Sequence, residues 1–526
     1  MRRRFFNTEG VCLPDRHYMV DLTSRLEIIK EMIEDEKYFV INRGRQYGKT
    51  TTLAAIEKYL SDEYIILSLD FQALTTESFK TEQSFTKSFA NSILRSCNNE
   101  LSQEIKEKFL DFTKGEKLCP ELFNCITEMC SVSKKPIVLL IDEVDQASNY
   151  QVFIEFLAQL RYYYLNRHKF PTFQSVILAG VYDIQNIKRK IRPDEEHVHN
   201  SPWNIAAKFD VDMSFSVEDI SGMLADYEKD KSTGMNIKEV AKEIRAYTGG
   251  YPVLVCRICQ ILDKELAGSE DFPTLTSAWT KQGVIEAVKR ILNENSPLFD
   301  SLMAKIEQYP QLNEMLQNIL FNGDAISYQP DNDAVKLAAM FGFIKSNTNK
   351  IQIANRIFET RLYNKYIFDE NAKQTAISKE AQIYRNKFVT DKELNMDLIL
   401  EKFVESYDTI YDDQTEKFLE KDGRRLFLLF IRPIINGIGN YYVEAETRDY
   451  NRTDVIIDYK AKQYILEMKI WRGNSYNERG EEQLTDYLEY YHVNKGWMLS
   501  FSFNQNKQVG ITHHNINGKE ITEAVV

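Results

Sequence analysis

The sequence predicts an α/β protein with two separate α/β units and a mostly helical region between them. From Tyr38 to about Leu178, short β-rich runs alternate with longer helical stretches. A glycine-containing turn that ends in Gly48, Lys49 and Thr50 follows the first of these runs, and a second group of β-rich runs begins beyond residue 385. Because alternating strands and helices indicate a parallel sheet with crossover helices, we expect such a sheet in the first unit.

A chain of 526 residues is too long for one hydrophobic core, and its patterns divide it into five parts. Helical periodicity continues beyond the first unit, and short helices before the hairpin-like IKSNTNKIQIAN give the outline of a winged helix. A polar stretch then leads to the second α/β unit. The predicted parts are an α/β core at 1–210, a helical lid at 211–290, a winged-helix-like domain at 291–368, a connector at 369–385 and a second α/β domain at 386–526.

The composition favours a globular protein whose surface is not coated with basic charge. The formal net charge is −12 and the pI is about 5.4, so contact with nucleic acid would depend on local basic clusters. Such clusters occur at 2–4, 188–192 and 421–425. No apolar run reaches ~18 residues, and MRRRFFNTEG at the start lacks the apolar core of a signal peptide. We therefore expect a cytoplasmic protein that makes no membrane contact.

The seven cysteines are scattered and odd in number, which favours reduced thiols over a disulfide framework. Cys256 and Cys259 form a CxxC pair inside the apolar run VLVCRICQIL. A zinc ribbon would need a second pair at a matching spacing, and the sequence has none. Buried core thiols are therefore favoured over a metal site.

The stretch NRGRQYGKTTTL, residues 42–53, has the pattern of a phosphate-binding loop between a strand and a helix. In such a loop the backbone N–H groups surround the phosphates, a lysine adds positive charge and a following hydroxyl group binds Mg²⁺. An arginine stands where the first glycine of the usual pattern falls, and a glycine follows it directly. The residues expected to bind ATP are Arg43, Gly44, Arg45, Gln46, Tyr47, Gly48, Lys49, Thr50 and Thr51.

An acidic motif downstream completes the pattern of a nucleotide-hydrolysing site. The apolar strand PIVLLI ends in Asp142 and Glu143. The first carboxylate, together with Thr50, is expected to hold Mg²⁺, and Glu143 is expected to polarise the attacking water as a catalytic residue. The alternative is a buried strand that ends in acidic surface residues. The order and placement of both motifs favour nucleotide binding and hydrolysis.

RGRQYGKTTTL resembles the loop of the bacterial AAA-ATPase-like proteins, a P-loop group related to the STAND switch ATPases, in which arginine occupies the leading-glycine position. LIDEVD at 140–145, SVILAGVYDI at 175–184 and SPWNIA at 201–206 are similar to other segments of that family. Ala179 stands where the family usually has threonine, so a polar sensor is in doubt there. The resemblance implies ATP and Mg²⁺ as cofactors, and it places Pro252 near the adenine.

Two features of the sequence allow either a functional or a structural interpretation. TGGYP at 248–252 resembles the glycine–proline motif of STAND proteins, but Gly249, Gly250 and Pro252 also fit an ordinary turn at the start of a helix. Arg189 and Arg192 follow the sensor-like strand and could act as arginine fingers, although a solvated basic turn is favoured over that role.

The C-terminal unit carries a second pattern of charged residues. DVIIDY and QYILEMKI are joined by a short polar turn and predict a β-hairpin. Asp454 opens the first strand, and Glu467 and Lys469 share one face of the second. Two carboxylates can hold Mg²⁺ against a phosphate while a lysine orients water. Glu444 supplies a further acid upstream.

This arrangement resembles the PD-(D/E)XK nuclease superfamily, whose domains have a restriction-endonuclease-like α/β fold. The resemblance implies Asp454, Glu467 and Lys469 as catalytic residues. It implies Glu444, Asp454 and Glu467 as ligands of Mg²⁺, with Mn²⁺ as an alternative ion.

The helix EEQLTDYLEY is similar to the Q-x-x-x-Y helix of the same nucleases, because Gln483 lies one helical turn before Tyr487. Gln483 is therefore a further catalytic candidate. Glu416 is similar to the acid that these domains carry near their N-terminus.

Two classes of function are compatible with these motifs. In the first, a STAND-like ATPase switch controls a metal-dependent nuclease domain, an arrangement that resembles anti-phage or mobile-element defence systems. In the second, ATP regulates a DNA-binding or signalling scaffold whose nuclease-like domain is inert. The joint presence of Asp454, Glu467 and Lys469 favours the first class. The expected partner is nucleic acid at the C-terminal domain, DNA rather than RNA, and homo-oligomerisation stays open.

Overall fold

The computed structural model describes residues 3–96, 100–181, 203–322, 328–329, 331–347, 350–371, 387–389, 393–410, 420–435, 439–446, 452–460, 462–470, 474–502 and 508–526. The chain divides into two compact units. The first unit comprises Met1–Lys231, Gly250–Arg257 and Met340–Gly342, and the second comprises Ser232–Gly249, Ile258–Ala339 and Phe343–Val526. The finer division into five parts stays a prediction.

The first unit is built on a four-stranded parallel sheet. Its strands are β1 (Phe39–Asn42), β2 (Ile65–Asp70), β3 (Ile137–Asp142) and β4 (Ser175–Gly180), in the order β1-β4-β3-β2. Every residue of β3 and β4 is buried, as expected for a parallel sheet that is covered on both faces. The four strands and their parallel pairing confirm the sheet predicted for this part of the sequence.

Helices connect these strands and cover the sheet. In the first unit they are α1 (Thr23–Glu34), α2 (Lys49–Leu60), α3 (Glu82–Ser96), α4 (Gln103–Lys114), α5 (Cys119–Val132), α6 (Gln151–Leu165) and α7 (Val217–Lys231). Short 3-10 turns occupy Phe71–Ala73, Thr76–Phe79 and Val144–Gln146. Because α2 lies between β1 and β2, and α6 between β3 and β4, both helices belong to the crossover connections that parallel strands need.

The side chains of β3 divide the core of the first unit into two layers. Val138 and Leu140 pack into a cluster with residues of α1 and α2. Leu139 and Ile141 pack into a second cluster with residues of α3, α4, α5 and α6. This division follows from the alternation of side chains along a strand.

An aromatic group forms the centre of the second layer. Phe156 on α6 is fully buried, and its ring centroid lies 5.2 Å from Phe85, 4.9 Å from Phe89 and 5.6 Å from Phe123. Tilted and edge-to-face rings at such distances attract each other beyond the gain from burial. The packing of this layer therefore depends on phenylalanines from α3, α5 and α6.

The next helices lead through the middle of the chain. They are α8 (Ile237–Thr248), α9 (Pro252–Ile261), α10 (Leu275–Ala278), α11 (Lys281–Asn293), α12 (Pro297–Gln308), α13 (Pro310–Asn322), α14 (Asp333–Phe341) and α15 (Arg356–Asn371). Between α14 and α15, β5 (Ile344–Asn347) and β6 (Lys350–Ile353) form an antiparallel hairpin, as predicted from IKSNTNKIQIAN. No helix among the described residues is both long and apolar enough to cross a bilayer.

The CxxC pair lies on α9. Cys256 and Cys259 are both buried, and neither is part of a disulfide. The other cysteines of the described ranges are free thiols as well. The structure thus confirms the prediction that the CxxC pair consists of core thiols.

A six-stranded mixed sheet forms the C-terminal part of the second unit. Its strands are β7 (Gly439–Glu446), β8 (Arg452–Tyr459), β9 (Lys462–Ile470), β10 (Lys495–Phe501), β11 (Gly510–Ile516) and β12 (Lys519–Val525), in the order β11-β12-β10-β9-β8-β7. β7, β8 and β9 pair antiparallel, β10 runs parallel to β9 and β12, and β11 is antiparallel to β12. The hairpin predicted from DVIIDY and QYILEMKI is confirmed as β8 and β9.

Helices α16 (Met396–Ile410), α17 (Glu420–Ile435) and α18 (Asn474–Tyr490) cover this sheet. On one face, the ring of Tyr407 from α16 lies 5.6 Å from that of Phe501, and Gly423 of α17 packs directly against Phe501. On the other face, Gly480 of α18 packs against Met498 and Lys469. This part of the chain is thus a mixed-sheet α/β domain, and its membership of the nuclease fold stays a prediction.

Replacing Phe156 with alanine should lower the free energy of unfolding of the first unit by about 3–5 kcal/mol, because it leaves a cavity in a packed aromatic group. Thermal unfolding measured by circular dichroism tests this expectation. Leu165→Ala on the same helix is the matched control, since Leu165 is 55% exposed and its truncation should change the Tm little. Equal losses of Tm in the two variants would contradict the packing described above.

Candidate functional site

The loop formed by residues 43–48 joins the end of β1 to the start of α2, at the carboxyl edge of the first sheet. α2 begins at Lys49, and Gly48 precedes it with a φ of 83°. Within the loop, Gln46 also has a left-handed conformation, with a φ of 56°. At this edge the first N–H groups and the dipole of α2 favour an anion. The backbone therefore has the placement that a phosphate-binding loop requires.

Arg43 occupies the leading-glycine position without backbone strain, because its φ is not among the left-handed values. Its guanidinium group donates to the carbonyl oxygens of Phe209 at 3.4 Å and Val211 at 3.0 Å, and it lies over the Phe209 ring. Burial lowers the pKa of Arg43. The Arg43 side chain thus ties the start of the loop to the segment 209–211, while its backbone forms the first residue of the loop.

Steric crowding explains why position 44 is a glycine. A Cβ atom on Gly44 would lie 3.0 Å from the carbonyl oxygen of Phe341 and 3.2 Å from the hydroxyl oxygen of Tyr251. Both distances are shorter than an ordinary contact between a carbon and its neighbours. Close approach of other parts of the chain, and not an unusual φ, therefore favours glycine here.

Lys49 is buried at the first position of α2. Its Nζ donates to the carbonyl oxygens of Arg43 at 3.0 Å and Gly44 at 3.1 Å. Burial lowers the pKa of the ammonium group, and the carboxylates of Glu143 and Asp145 oppose this shift. A buried ammonium group whose hydrogen-bond partners are neutral carbonyls is well suited to receive a phosphate oxygen.

The threonines at the start of α2 have different surroundings. The Thr50 side chain is exposed on the first turn. The Thr51 hydroxyl accepts the Cys12 backbone N–H at 3.1 Å, and the Thr52 hydroxyl donates to the Gly48 carbonyl oxygen at 2.9 Å. The role of Thr50 as a metal ligand stays a prediction, whereas the hydroxyl of Thr51, predicted to contact ATP, makes a backbone contact.

Tyr251, which the sequence motifs do not single out, packs directly on the loop. Its hydroxyl donates to the carbonyl oxygen of Arg45, whose side chain is exposed. Its ring meets the ring of Tyr47 edge-on, with the centroids 4.6 Å apart. The signal that could have identified Tyr251 is an aromatic residue next to the proline of TGGYP.

The rest of TGGYP lies where α8 ends and α9 begins. Gly249 ends α8 with a φ of 59°, and its N–H donates to the Arg245 carbonyl oxygen at 2.9 Å. Gly250 has a φ of 77°, and Pro252 is the first residue of α9. Glycine after one helix and proline at the start of the next are the residues that these positions prefer. The structural interpretation thus accounts for both glycines and for Pro252.

Asp142 and Glu143 lie at the end of β3, at the carboxyl edge that also carries the loop. The Asp142 Oδ1 accepts the Glu143 N–H at 2.9 Å, and Glu143 has a left-handed φ of 53°. Burial and the neighbouring Asp142 raise the pKa of Glu143. A carboxylate whose pKa is raised accepts a proton more readily, which suits a general base.

Two further carboxylates at this edge were not predicted. Asp70 ends β2 and pairs in register with Asp142. The Asp145 Oδ2 accepts the Val181 N–H at 2.7 Å, and a Cβ atom on Gly180 would lie 2.9 Å from the Asp145 Oδ1. Asp145, the last residue of LIDEVD, therefore fixes the end of β4.

The remaining residues that the sequence motifs suggested are either apolar or lie outside the described residues. Ala179 is fully buried within β4. Arg189 and Arg192, considered as arginine fingers, and Glu416 of the C-terminal unit lie outside the described residues.

Three of the predicted nuclease residues meet on the face of the C-terminal sheet that α18 covers. Glu467 is 1% exposed, and its Oε1 lies 2.8 Å from the Nζ of Lys469. Lys469 also donates to the Gln483 Oε1 at 3.3 Å, and the Gln483 side chain donates to the Tyr487 hydroxyl. The fold therefore brings the E-x-K pair and the Q-x-x-x-Y helix together.

The two other predicted acids occupy backbone positions beside Glu467. Val443 and Ala445 of β7 lie opposite Val455 and Thr453 of β8, so position 444 lies opposite position 454. Val455 also lies opposite Leu466 of β9, so position 454 lies opposite position 467. Positions 444, 454 and 467 thus form one row across three strands. The side chains of Glu444 and Asp454 lie outside the described part of the chain.

A family model described as an AAA-like domain matches residues 11–369. Among solved structures, the chain is similar to the Walker-type ATPase paby2304 of Pyrococcus abyssi, at 14% identity and a TM-score of 0.46, over 68% of this chain and 99% of that chain. It is also similar to the ORC2 protein of Aeropyrum pernix in its ADPNP–ADP complexes, at 10% identity and a TM-score of 0.35, over 65% and 93%. The RuvB Holliday junction branch migration motor of Thermotoga maritima has 10% identity and a TM-score of 0.31, over 64% and 92%. No curated protein matches the chain.

Replacing Gly44 with alanine should weaken ATP binding, because the added Cβ forces the loop away from Phe341 and Tyr251. Overpacking of this kind costs about 1–3 kcal/mol, which corresponds to about a 5- to 150-fold rise in Kd if the strain falls on the binding-competent loop. Titration with a fluorescent ATP analogue measures the change. Gly222→Ala is the control, since nothing lies within 4 Å of its added Cβ on α7. Unchanged affinity in Gly44→Ala would contradict the tight packing of the loop.

Proposed function

The chain belongs to the AAA-like domain family, and from this premise we propose that its first unit binds ATP with Mg²⁺ and hydrolyses it. The proposal rests chiefly on the placement of Lys49. Its buried ammonium group lies at the N-terminus of α2, where the loop carbonyls of Arg43 and Gly44 hold it and the carboxylates at the end of β3 act on its charge.

Phosphate binding would use the loop backbone and Lys49 together. The N–H groups at the start of α2 and the helix dipole favour the negative charge of a triphosphate. The present partners of Lys49 are neutral carbonyls, so phosphate oxygens offer it stronger, charge-assisted hydrogen bonds. Thr50 and Asp142 would hold Mg²⁺, because hydroxyl and carboxylate oxygens are the ligands this ion prefers. The ion would neutralise charge on the phosphates.

Glu143 would act as the general base for hydrolysis. Burial and Asp142 raise its pKa, so it accepts a proton more readily than an ordinary carboxylate. The Asp142 carboxylate, by contrast, is fixed by the Glu143 N–H. Two adjacent acids with different surroundings can therefore take different roles, one at the metal ion and one at the water.

The path of the chain supports a switch in which the nucleotide state reaches the second unit. Tyr251 and Phe341 approach the loop within the first unit. The residues that follow them, from Ile258 and from Phe343, belong to the second unit. A change in the loop would thus act on backbone that leads directly into the second unit. The STAND relationship is supported by the resemblance of RGRQYGKTTTL and TGGYP. A role in anti-phage or mobile-element defence is supported only by the resemblance of the proposed ATPase–nuclease pairing to such systems.

ATP turnover should fall to background in Lys49→Ala, because the variant lacks the charge that binds the phosphates. Glu143→Gln should keep ATP binding but lose about 10²–10⁴-fold in kcat, the usual contribution of a general base. Lys58→Ala, an exposed lysine on the same helix, is the matched control and should behave like the wild-type protein. Wild-type turnover in either site variant would refute the role given to that residue.

A second candidate function is metal-dependent cleavage of nucleic acid, preferably DNA, by the second unit. The favouring observation is the single row of positions 444, 454 and 467, next to the contacts among Glu467, Lys469 and Gln483. Three acidic residue types at neighbouring positions can hold Mg²⁺ or Mn²⁺, and Lys469 can orient water or offset charge beside them. The alternative is an inert domain in an ATP-regulated scaffold, in which the Lys469–Glu467 pair only stabilises the fold.

Glu467→Gln should reduce Mg²⁺- or Mn²⁺-dependent cleavage at least about 100-fold, because the amide keeps the size of the side chain but loses its charge. Plasmid, linear and single-stranded DNA, each with and without ATP, are the substrates to test. Glu520→Gln, an exposed acid on β12, is the matched control. If the wild-type protein cuts none of these substrates, the inert scaffold is the better description. If Glu467→Gln cuts them as well as the wild-type protein does, Glu467 does not have the proposed role.

A further inference from the structure

We propose that Glu481, His514 and Glu523 bind a divalent transition-metal ion of the Zn²⁺ type on the C-terminal sheet. One ligand atom from each of the three residues lies within 4.8 Å of the others. The residues belong to α18, β11 and β12 and are not neighbours in the sequence, so only the fold brings them together. This proposal depends neither on the ATPase function nor on nuclease activity.

Regular backbone holds the three residues in place. On the antiparallel pair β11 and β12, Thr512 lies opposite Glu523 and His514 lies opposite Ile521, which makes His514 and Glu523 diagonal neighbours on one face. Met498, which pairs with Glu523, packs against Gly480 of α18, so this is the face that α18 covers. Ligands on two paired strands and a helix are positioned more firmly than ligands on loops.

The distances are close to those of a metal site. The Nε2 of His514 lies 3.7 Å from the Oε2 of Glu523. Two ligands at the corners of a tetrahedron with bonds of about 2.1 Å are about 3.4 Å apart, so this pair needs almost no adjustment. Side-chain shifts of about 1 Å within their rotamers would bring the third ligand to the same spacing. The His514 Nε2 also lies 3.1 Å from the Thr512 hydroxyl, a contact that an ion on this nitrogen would replace.

The kinds of ligand select the class of ion. Imidazole together with carboxylates suits Zn²⁺, whereas Mg²⁺ and Ca²⁺ prefer oxygen ligands alone. Two carboxylates and a neutral imidazole balance the two positive charges of the ion. Three protein ligands also leave one tetrahedral position for water.

A hydrogen bond orients the carboxylate of Glu523, as is usual for the ligands of a metal ion. It is 6% exposed, and its Oε1 accepts the hydroxyl of Ser500 at 2.6 Å. This bond fixes the orientation of the carboxylate and leaves the Oε2 on the side of His514. Hydrogen bonds from a second group commonly orient the ligands of a metal in this way, and a carboxylate in such a buried position is stabilised by a cation.

The proposed site is separate from the acidic row at 444, 454 and 467. Glu467 and Glu523 pair with Met498 from opposite sides of β10, so they are two strand spacings apart, about 9.6 Å between backbones. An ordinary ion pair between His514 and Glu523 is the competing explanation of the contact.

Titration of metal-free, full-length protein without nucleotide tests the proposal, with Zn²⁺ followed by calorimetry and Co²⁺ by visible absorption. We expect a Zn²⁺ affinity that falls at least about tenfold in His514→Ala, since even a residue that only supports a ligand has an effect of this size. His513→Ala is the matched control. His513 is the next residue of the same strand, its side chain points to the other face, and it contacts the Thr522 hydroxyl. The affinity should be unchanged in His513→Ala.

Both histidines are exposed on β11, which lies at the end of the strand order, so both variants should fold. Zn²⁺ should raise the Tm of the wild-type protein and of His513→Ala, but not that of His514→Ala. Absence of Zn²⁺ binding, or equal affinity in His514→Ala and the wild-type protein, would leave only the ion pair and overturn the proposal. Loss of binding in Glu467→Gln alone would assign the ion to the acidic row, and a thiolate-to-cobalt absorption band would assign it to cysteine.

Discussion

The first unit depends on one constraint, which is that an ammonium group is kept out of water at the start of a helix. Lys49 loses its hydration there, and two loop carbonyls replace only part of what water would supply. The loop must therefore curve so that the carbonyls of Arg43 and Gly44 point toward the first turn of α2. Contacts of the loop with Tyr251 and with the carbonyl of Phe341 maintain that curvature, and the ring of Tyr47 in the loop is one of the groups that meet Tyr251.

The two groups of acidic residues occupy different parts of their sheets. In the first unit, Asp70, Asp142 and Glu143 lie at the carboxyl edge of parallel strands, where a helix N-terminus supplies partial positive charge. In the C-terminal sheet, Glu467 lies on a face that α18 covers, and a lysine two residues away on the same strand supplies the opposite charge. Asp70 at the edge is exposed to solvent, whereas the buried carboxylate of Glu467 on the face is paired with the ammonium group of Lys469.

The features that the sequence predicts well are those determined by nearby residues. The strands of the first sheet follow from short apolar runs, and the contact between Glu467 and Lys469 follows from the two-residue period of a strand. The same holds for Gln483 and Tyr487, which are one helical turn apart. The register that aligns positions 444, 454 and 467 depends on the lengths of the two turns that connect β7, β8 and β9. Residue patterns do not determine these lengths.

Features that depend on distant parts of the chain could not be predicted. The glycine at position 44 is explained by Phe341 and Tyr251, which lie far from it in the sequence. The difference between the hydroxyls of Thr50 and Thr51 arises from the backbone of Cys12. The convergence of Glu481, His514 and Glu523 requires the strand order of the whole C-terminal sheet, because β12 lies between β11 and β10.

The first unit is discontinuous along the chain, and this has a consequence for how its gene can be divided. Its segments Gly250–Arg257 and Met340–Gly342 are encoded within the sequence of the second unit. A gene that stops after Lys231 would retain all four strands of the first sheet and the entire loop. It would nevertheless omit Tyr251 and Phe341, so its product would keep residues 43–48 of the loop and lose part of the packing that shapes the loop. Recombination that exchanges the C-terminal sheet while leaving everything up to residue 342 intact would avoid this loss.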